Sequence, residues 1–465
     1  MKKLHLFIMF VLWCGFTSAQ RPLITKWDTG VGKFITITTV GDYSFTYKKA
    51  DNPEISGSGN GVSGLYNFTF PESGVYILEI TPTSAFKFVG STTNSIYLTE
   101  IMQWGDITWN SNLSSMFQGY TKLKISAEDV PNFSNVTNMQ YMFNKCSSIV
   151  LIPNANSWDT SKVTTMGNMF SDATNFNQNI GGWNTGKVMT MSFMFKGTAF
   201  NQDIGNWNVA STEDMPGMFQ DSPFNQYIGN WDTRALMGIS NMFDNNKVFN
   251  QDISNWKTGG VFHMQGTFKN ATAFNQDIGK WNTQTVITFQ SMFSGATSFN
   301  QSLEKWTGHP GYGDMSNMFD YSGINCLNYG KTLKGWYENV KVENKKTLGA
   351  RGLKYGIEGE KYRSLLVSNK QWNIIGDTFD PSCPDQLSTQ NVGLNNKITV
   401  YPLPTTGILY IHSEEKGKAE LYNMNGQFLR RLNLQKGENK IDISNFPKGV
   451  YLIKYGTNSA KVIKS

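Results

Sequence analysis

Phe200-Asn201-Gln202-Asp203-Ile204-Gly205-Asn206-Trp207-Asn208-Val209 is the stretch that decides the fold, because the chain repeats it. Between residues 176 and 319 the pattern Phe-Asn-Gln-x-Ile/Leu-x-x-Trp recurs six times. Its tryptophans are Trp183, Trp207, Trp231, Trp256, Trp281 and Trp306, a step of 24 or 25 residues. Each is followed 12 or 13 residues later by a phenylalanine, usually with methionine before it. A unit this short cannot bury its own apolar face, so units must stack and set each aromatic against its counterpart in the next. The period therefore predicts a solenoid.

Outward from this array the chain changes character. Trp104, Met116-Phe117 and Met142-Phe143 carry irregular early copies, and Trp158 to Phe170 is the first copy with regular spacing, giving about nine coils. Within a unit, Val163, Met166, Met169 and Phe170 read as an alternating strand, Phe-Asn-Gln as a turn, and the remainder as a helical or irregular crossing. The reading divides the chain into residues 20–103, a β-sandwich head; 104–321, the repeat solenoid; 322–385, a cap; 386–395, a polar linker; and 396–465, a compact β-sandwich module. In the head, Phe34 to Thr38 and Val75 to Ile80 are β-rich, and Gly57 to Gly61 reads as a turn between strands. In the last module Ile398 to Tyr401, Ile408 to Ile411, Ala419 to Tyr422 and Val450 to Tyr455 read as strands. The fold class is mainly β with short helical segments.

Composition narrows function. With 39% hydrophobic and 14% aromatic residues the chain can build a large core. Residues 1–19 carry Lys2 and Lys3, an apolar run from Leu4 to Phe16, and Thr17-Ser18-Ala19, which predicts an export signal cleaved between Ala19 and Gln20. Trp13 before Cys14 argues against a lipoprotein signal. Cys146, Cys326 and Cys383 remain, too scattered for a metal site. Cys326 and Cys383 form either a disulfide or two buried thiols. The net charge of +6 lies wholly in the tail, where Leu387 to Ser465 hold 11 Lys/Arg against 5 Asp/Glu. The repeat array thus lacks the basic stripe that nucleic acid requires.

Chemistry finds little purchase. Asp203, Asp252 and Asp277 share one repeat position, but Asn179, Tyr227 and Ser302 occupy it elsewhere, so no paired-carboxylate cleft is implied. His5, His263, His309 and His412 lie in separate regions and make neither a zinc-spaced pair nor a triad. We expect no enzyme, no cofactor and no metal. Burying one aromatic side chain removes about 150–250 Å² from water, roughly 4–6 kcal/mol gross at about 25 cal/mol per Å². The Trp and Phe columns are therefore expected in the core, with the column Asn177, Asn201, Asn225, Asn250, Asn275 and Asn300 capping backbone groups. Any ligand should meet the variable positions.

The unit Phe-Asn-Gln-Asp-Ile-Gly-Asn-Trp-Asn-Val, with Val136-Thr137-Asn138-Met139-Gln140-Tyr141-Met142-Phe143, resembles the BspA-like leucine-rich-repeat surface proteins of bacteria, from about Trp104 to Phe319. Two units depart from it, at Thr267-Phe268 and after Trp306, and suggest local bulges. The resemblance implies adhesion or partner binding. The tail resembles the C-terminal sorting domain of the type IX (Por) secretion system of Bacteroidetes-type bacteria. The residues that carry this are Tyr401, Pro402, Pro404, Gly407, Gly426, Gly449 and Tyr451, with Leu403 where the usual motif has asparagine. It implies secretion through the periplasm to the cell surface or medium. The head is similar, on strand pattern, to polycystic-kidney-disease-like sandwiches. Together these readings give a secreted, cell-surface-displayed, non-enzymatic interaction protein. Its partner would be an extracellular protein or glycan, with a carbohydrate-capture module or a structural envelope protein as alternatives.

Overall fold

The computed structural model describes residues 20–90, 95–308, 313–383, 398–401, 405–423, 427–456 and 458–464. The signal segment with Ala19 and the linker 386–395 lie outside them, as do His309, Pro402, Pro404 and Gly426. The chain divides into two compact units, Met1–Asp385 and Gln386–Ser465.

The first unit begins with eight strands: β1 (Leu23–Asp28), β2 (Phe34–Val40), β3 (Tyr43–Lys49), β4 (Ser56–Val62), β5 (Leu65–Thr69), β6 (Val75–Pro82), β7 (Lys87–Phe88) and β8 (Leu98–Gln103). Alternation makes them strands: in β6, Tyr76, Leu78 and Ile80 point inward while their neighbours face solvent. One sheet runs β4-β3-β6-β1-β8 and continues to the short β9 (Lys124–Ile125); a second is β5-β2-β7. The Gly57 to Gly61 stretch, expected as a turn, is strand β4. The Phe45 and Tyr47 rings of β3 lie over Gly59 and Gly57, where a Cβ would come within 2.6 and 2.7 Å of them.

Among the described residues from Asn112 to Asp314 the chain makes nine rungs, each joined to the next by one parallel bridge: Asn112, Asn138, Thr165, Thr190, Asp214, Gly238, His263, Thr288 and Asp314. The pairing is this brief because the segment after each rung is a turn and not the alternating strand expected. Met166, Met169 and Phe170 are all buried, and Met169 N–H bonds the Met166 carbonyl at 3.1 Å. Two left-handed residues per rung produce that turn. One column includes Asn168, Phe193, Gly217, Asn241 and Gly266; the other includes Asp172, Gly197, Asp221, Asn245 and Asn270. Phe-Asn-Gln is not itself a turn; the turns follow it, at Gly181-Gly182 and its counterparts. No α-helix crosses between rungs among the described residues; the short helical turn Ala155–Ser157 is the sole helical piece there. Thr267 makes no bulge. Its buried hydroxyl donates to the Met264 carbonyl at 2.8 Å, and Phe268 stacks between Phe243 and Phe293.

The ladder ends in α1 (Cys326–Glu338), β10 (Thr347–Gly349), β11 (Lys354–Tyr355), α2 (Ile357–Lys370), β12 (Asn373–Ile375) and β13 (Thr378–Phe379). Met315 bridges to Leu348 and β10 pairs in parallel with β12, so this segment prolongs the ladder while its helices cover it. Cys326 and Cys383 are disulfide-bonded, their Cα atoms 6.0 Å apart. One buried core runs from Leu23 to Ile374 without a break at the expected head boundary, because Phe86 meets Trp109 and Phe88 meets Phe117.

The second unit holds β14 (Ile398–Tyr401), β15 (Ile408–Ser413), β16 (Gly417–Asn423), β17 (Phe428–Leu434), β18 (Gly437–Asp442), β19 (Gly449–Tyr455) and β20 (Asn458–Lys464). They form sheets β14-β15-β18 and β17-β16-β19-β20 around Leu409, Ile411, Leu421, Leu434 and Ile453. Sequence reading missed β17, β18 and β20; in β17 and β18 most of the exposed positions are polar or charged.

Candidate functional site

Most of each repeat is spent on holding the ladder. Asn201 Oδ1 accepts the Asn225 N–H at 2.9 Å, Asn225 Oδ1 that of Asn250 at 3.0 Å, and Asn250 Oδ1 that of Asn275 at 2.9 Å. The glutamine beside each asparagine closes the link: Gln251 Nε2 donates to both the carbonyl and Oδ1 of Asn225, at 3.1 Å each. The column ends where Asn325 caps α1 by accepting the Asn328 N–H at 2.9 Å. Capping by asparagine was expected; the glutamine's share was not, although its invariant place after asparagine was the available signal.

The aromatic columns are interior. Trp231 indole N–H donates to the Ile204 carbonyl at 3.2 Å and Trp256 to Ile228 at 3.0 Å, one unit back in each case. Trp256 and Trp281 stack at 6.2 Å, and Phe243 and Phe268 at 5.6 Å, each pair within 3° of parallel. The carboxylates of Asp203, Asp252 and Asp277 each accept the N–H two residues ahead, at 2.9 Å, which makes them turn residues. The Ser254 N–H lowers the Asp252 pKa accordingly.

What varies lies beside the rungs. The residue before each rung forms its own hydrogen-bonded column. Met189 N–H bonds Thr164, Glu213 bonds Met189, Met237 bonds Glu213, Phe262 bonds Met237 and Ile287 bonds Phe262, at 2.8–2.9 Å. Met189, Met237 and Phe262 are exposed at 48%, 38% and 40%, three apolar side chains in one column. Glu213 and Asp214 supply its acidic point, and His263 stands exposed beside Phe262. Three residues after Asn138 and Thr190, Tyr141 and Phe193 occupy left-handed positions, φ 58° and 56°, where the other rungs place Asn, Gly or Ser. A bulky residue pays roughly 1–2 kcal/mol for that conformation. Sequence reasoning pointed to variable positions without locating this face.

In the cap, the Asp377 carboxylate is wholly buried, held by Arg363 through two bonds of 2.8 Å and by the Tyr329 hydroxyl at 3.0 Å. Burial pushes the Tyr329 phenol well up. This network ties α1 and α2 to the β12–β13 connection, and its members are too far apart in sequence to have been foreseen. No cluster of three or more His, Cys, Asp or Glu suited to a metal occurs among the described residues.

In the tail, Gly407 (φ 148°) lies where a Cβ would meet the Ser444 Cα and Cβ at 3.0 Å, and Gly449 has φ 155°. The buried Tyr451 donates its hydroxyl to the Pro447 carbonyl. Tyr401 ends β14. Gly407, Gly449 and Tyr451 thus hold turns and strand packing. Gln20, the residue after the expected cleavage, donates to the Asp106 carbonyl at 2.9 Å.

Residues 399–465 match the family described as Secretion system C-terminal sorting domain. The tail is a sorting domain of the Por type. It implies engagement of the type IX secretion machinery and export to the cell surface or extracellular space. Residues 111–228 and 221–330 match the family described as Mycoplasma protein of unknown function, DUF285, which together span the ladder from its first rung to its last. No curated protein matches the chain, and neither does any solved structure. No helix among the described residues is long and apolar enough to cross a membrane.

Proposed function

We propose that this chain is an exported, surface-displayed, non-enzymatic interaction protein, and that its ladder is a leucine-rich-repeat-like solenoid presenting a recognition face for adhesion to an extracellular protein or glycan. One observation carries the reading. The repeated Asn, Gln, Trp and Phe columns are consumed in joining one rung to the next, whereas exposure and variation coincide in the column of Met189, Glu213, Met237 and Phe262. Burying such a stripe against a partner stabilises a complex by about 25 cal/mol per Å² before the costs of association. The test is a panel of extracellular-matrix proteins and glycans, screened with the exported chain and with Phe262→Asp and Met237→Asp. Saturable binding that both changes abolish supports the reading; binding they leave untouched moves the site elsewhere and sinks it.

A carbohydrate-capture role is favoured by Tyr141 and Phe193, two rungs apart at strained positions, which suggests selection for rings there. Successive rungs lie about 4.8 Å apart, so these side chains sit on the order of 10 Å from each other along the ladder. Glycan binding lost in Tyr141→Ala and kept in Phe262→Asp would favour this second reading over the first.

A further inference from the structure

The head offers a surface of its own, away from the rungs. Strand β4 is the first strand of its sheet and, among the described residues, pairs with β3 alone. Its residues, Ser56-Gly57-Ser58-Gly59-Asn60-Gly61-Val62, include no charge and no proline, the groups by which edge strands are usually protected against pairing. A register shift between Tyr43 and Phe45 disturbs only the far end, leaving Ser56 to Gly59 in plain antiparallel register with Lys48 to Phe45.

Both faces beside this edge are prepared. On the outer face two cross-strand rows, Ser58-Thr46-Glu79 and Ser56-Lys48-Ile77, floor an open cleft of about 450 Å³ that Pro53 also lines. Lys48 and Glu79 neutralise each other at 3.8 Å, so the cleft has no net charge to attract a charged side chain. On the inner face Gly57 and Gly59 have no side chains, and the Tyr47 and Phe45 rings reach across them toward the edge. A residue larger than glycine at either position would collide with a ring. The strand is therefore thin for the sake of those rings; Phe45 is itself buried in the core, and the half-buried Tyr47 ring is the one that presents apolar surface beside the edge.

We propose that the β4 edge receives an extended segment of a partner protein as an added strand, with uncharged apolar side chains alternating along it. Only an extended backbone can satisfy a row of strand amides and carbonyls, and alternate side chains would then fall beside the Tyr47 ring and into the cleft. This site is independent of the ladder face.

The probe is a synthetic peptide alternating Val and Thr with terminal lysines, added to the exported chain. Its control is the same peptide N-methylated at every amide, which has no N–H left to pair. Amide hydrogen exchange should show the β4 amides slowed by the first peptide and unchanged by the second. Ser58→Lys, an exposed change, should weaken binding by about tenfold or more, while Phe262→Asp leaves it unaltered. Equal binding of the N-methylated peptide, or binding without protection of β4, overturns the proposal. So does protection of β4 that rises with protein concentration alone, since a second copy would then occupy the edge.

Discussion

Asn225 Oδ1 accepts the backbone N–H of Asn250 at 3.0 Å, and the Asn225 carbonyl takes the Gln251 side-chain amide at 3.1 Å. One asparagine thus satisfies groups on two residues of the next unit. Asn225→Ala should leave the Asn250 N–H without its acceptor and cost about 1–3 kcal/mol, measured by denaturant unfolding. The same change at Asn325, which caps α1, should cost about 1 kcal/mol. Equal stability of Asn225→Ala and the parent would show that water replaces the bond.

Phe193 and Gly217 are a coupled pair. A Cβ on Gly217, which has φ 58°, would stand 2.2 Å from the Phe193 ring. Gly217→Ala should therefore cost about 2 kcal/mol or more, from left-handed strain and from displacement of the ring. In a Phe193→Asn background only the strain remains, so the cost should fall by about 1 kcal/mol in a double-mutant cycle. Additive losses would mean that the ring does not rest on the glycine.

Much of this was legible in the sequence and some was not. The step between tryptophans announced stacked units because each ring must meet its own counterpart one unit on, and the Met-Phe pairs of the irregular early copies brought the count to about nine. The glycines of β4 misled because glycine usually marks turns; here the large rings of β3 needed the space, a relation between residues of two strands. The bulge expected at Thr267 is likewise absent, since a hydroxyl bonded to carbonyls fills nearly the volume of the missing methionine's near end. The Met189, Met237 and Phe262 stripe stayed hidden because variation within repeats gives no direction until the rungs are placed. The Arg363–Asp377–Tyr329 network had no local signature at all.

Asp244 is buried beside the Gln220 amide at 3.4 Å and Lys269 at 4.0 Å. Burial raises its pKa, partly opposed by Lys269. A carboxyl whose native pKa is raised binds a proton more tightly folded than unfolded, so it weakens the fold as pH rises from the ordinary carboxylate range through the native value. Asp244→Asn should raise the melting temperature by a few degrees at pH 7, and the gain should vanish below the ordinary carboxylate range. A gain that persists at low pH would assign the effect to packing.

The Cys326–Cys383 disulfide closes a sequence separation of 57 residues around the cap. By chain entropy it contributes about 4 kcal/mol. Cys326→Ser with Cys383→Ser should destabilise by that order, and hydrogen exchange should quicken in α1 and α2 before it does at the central rungs. Uniform loosening along the ladder would contradict this localisation.

The asparagine and tryptophan bonds always join one unit to its immediate neighbour. A whole unit could therefore be duplicated or deleted, and the flanking units would find the same partners they had before. The reach of such a molecule can change between generations in whole steps of about 4.8 Å, by recombination between near-identical stretches of gene. The residue before each rung would be free to diverge afterwards, copy by copy.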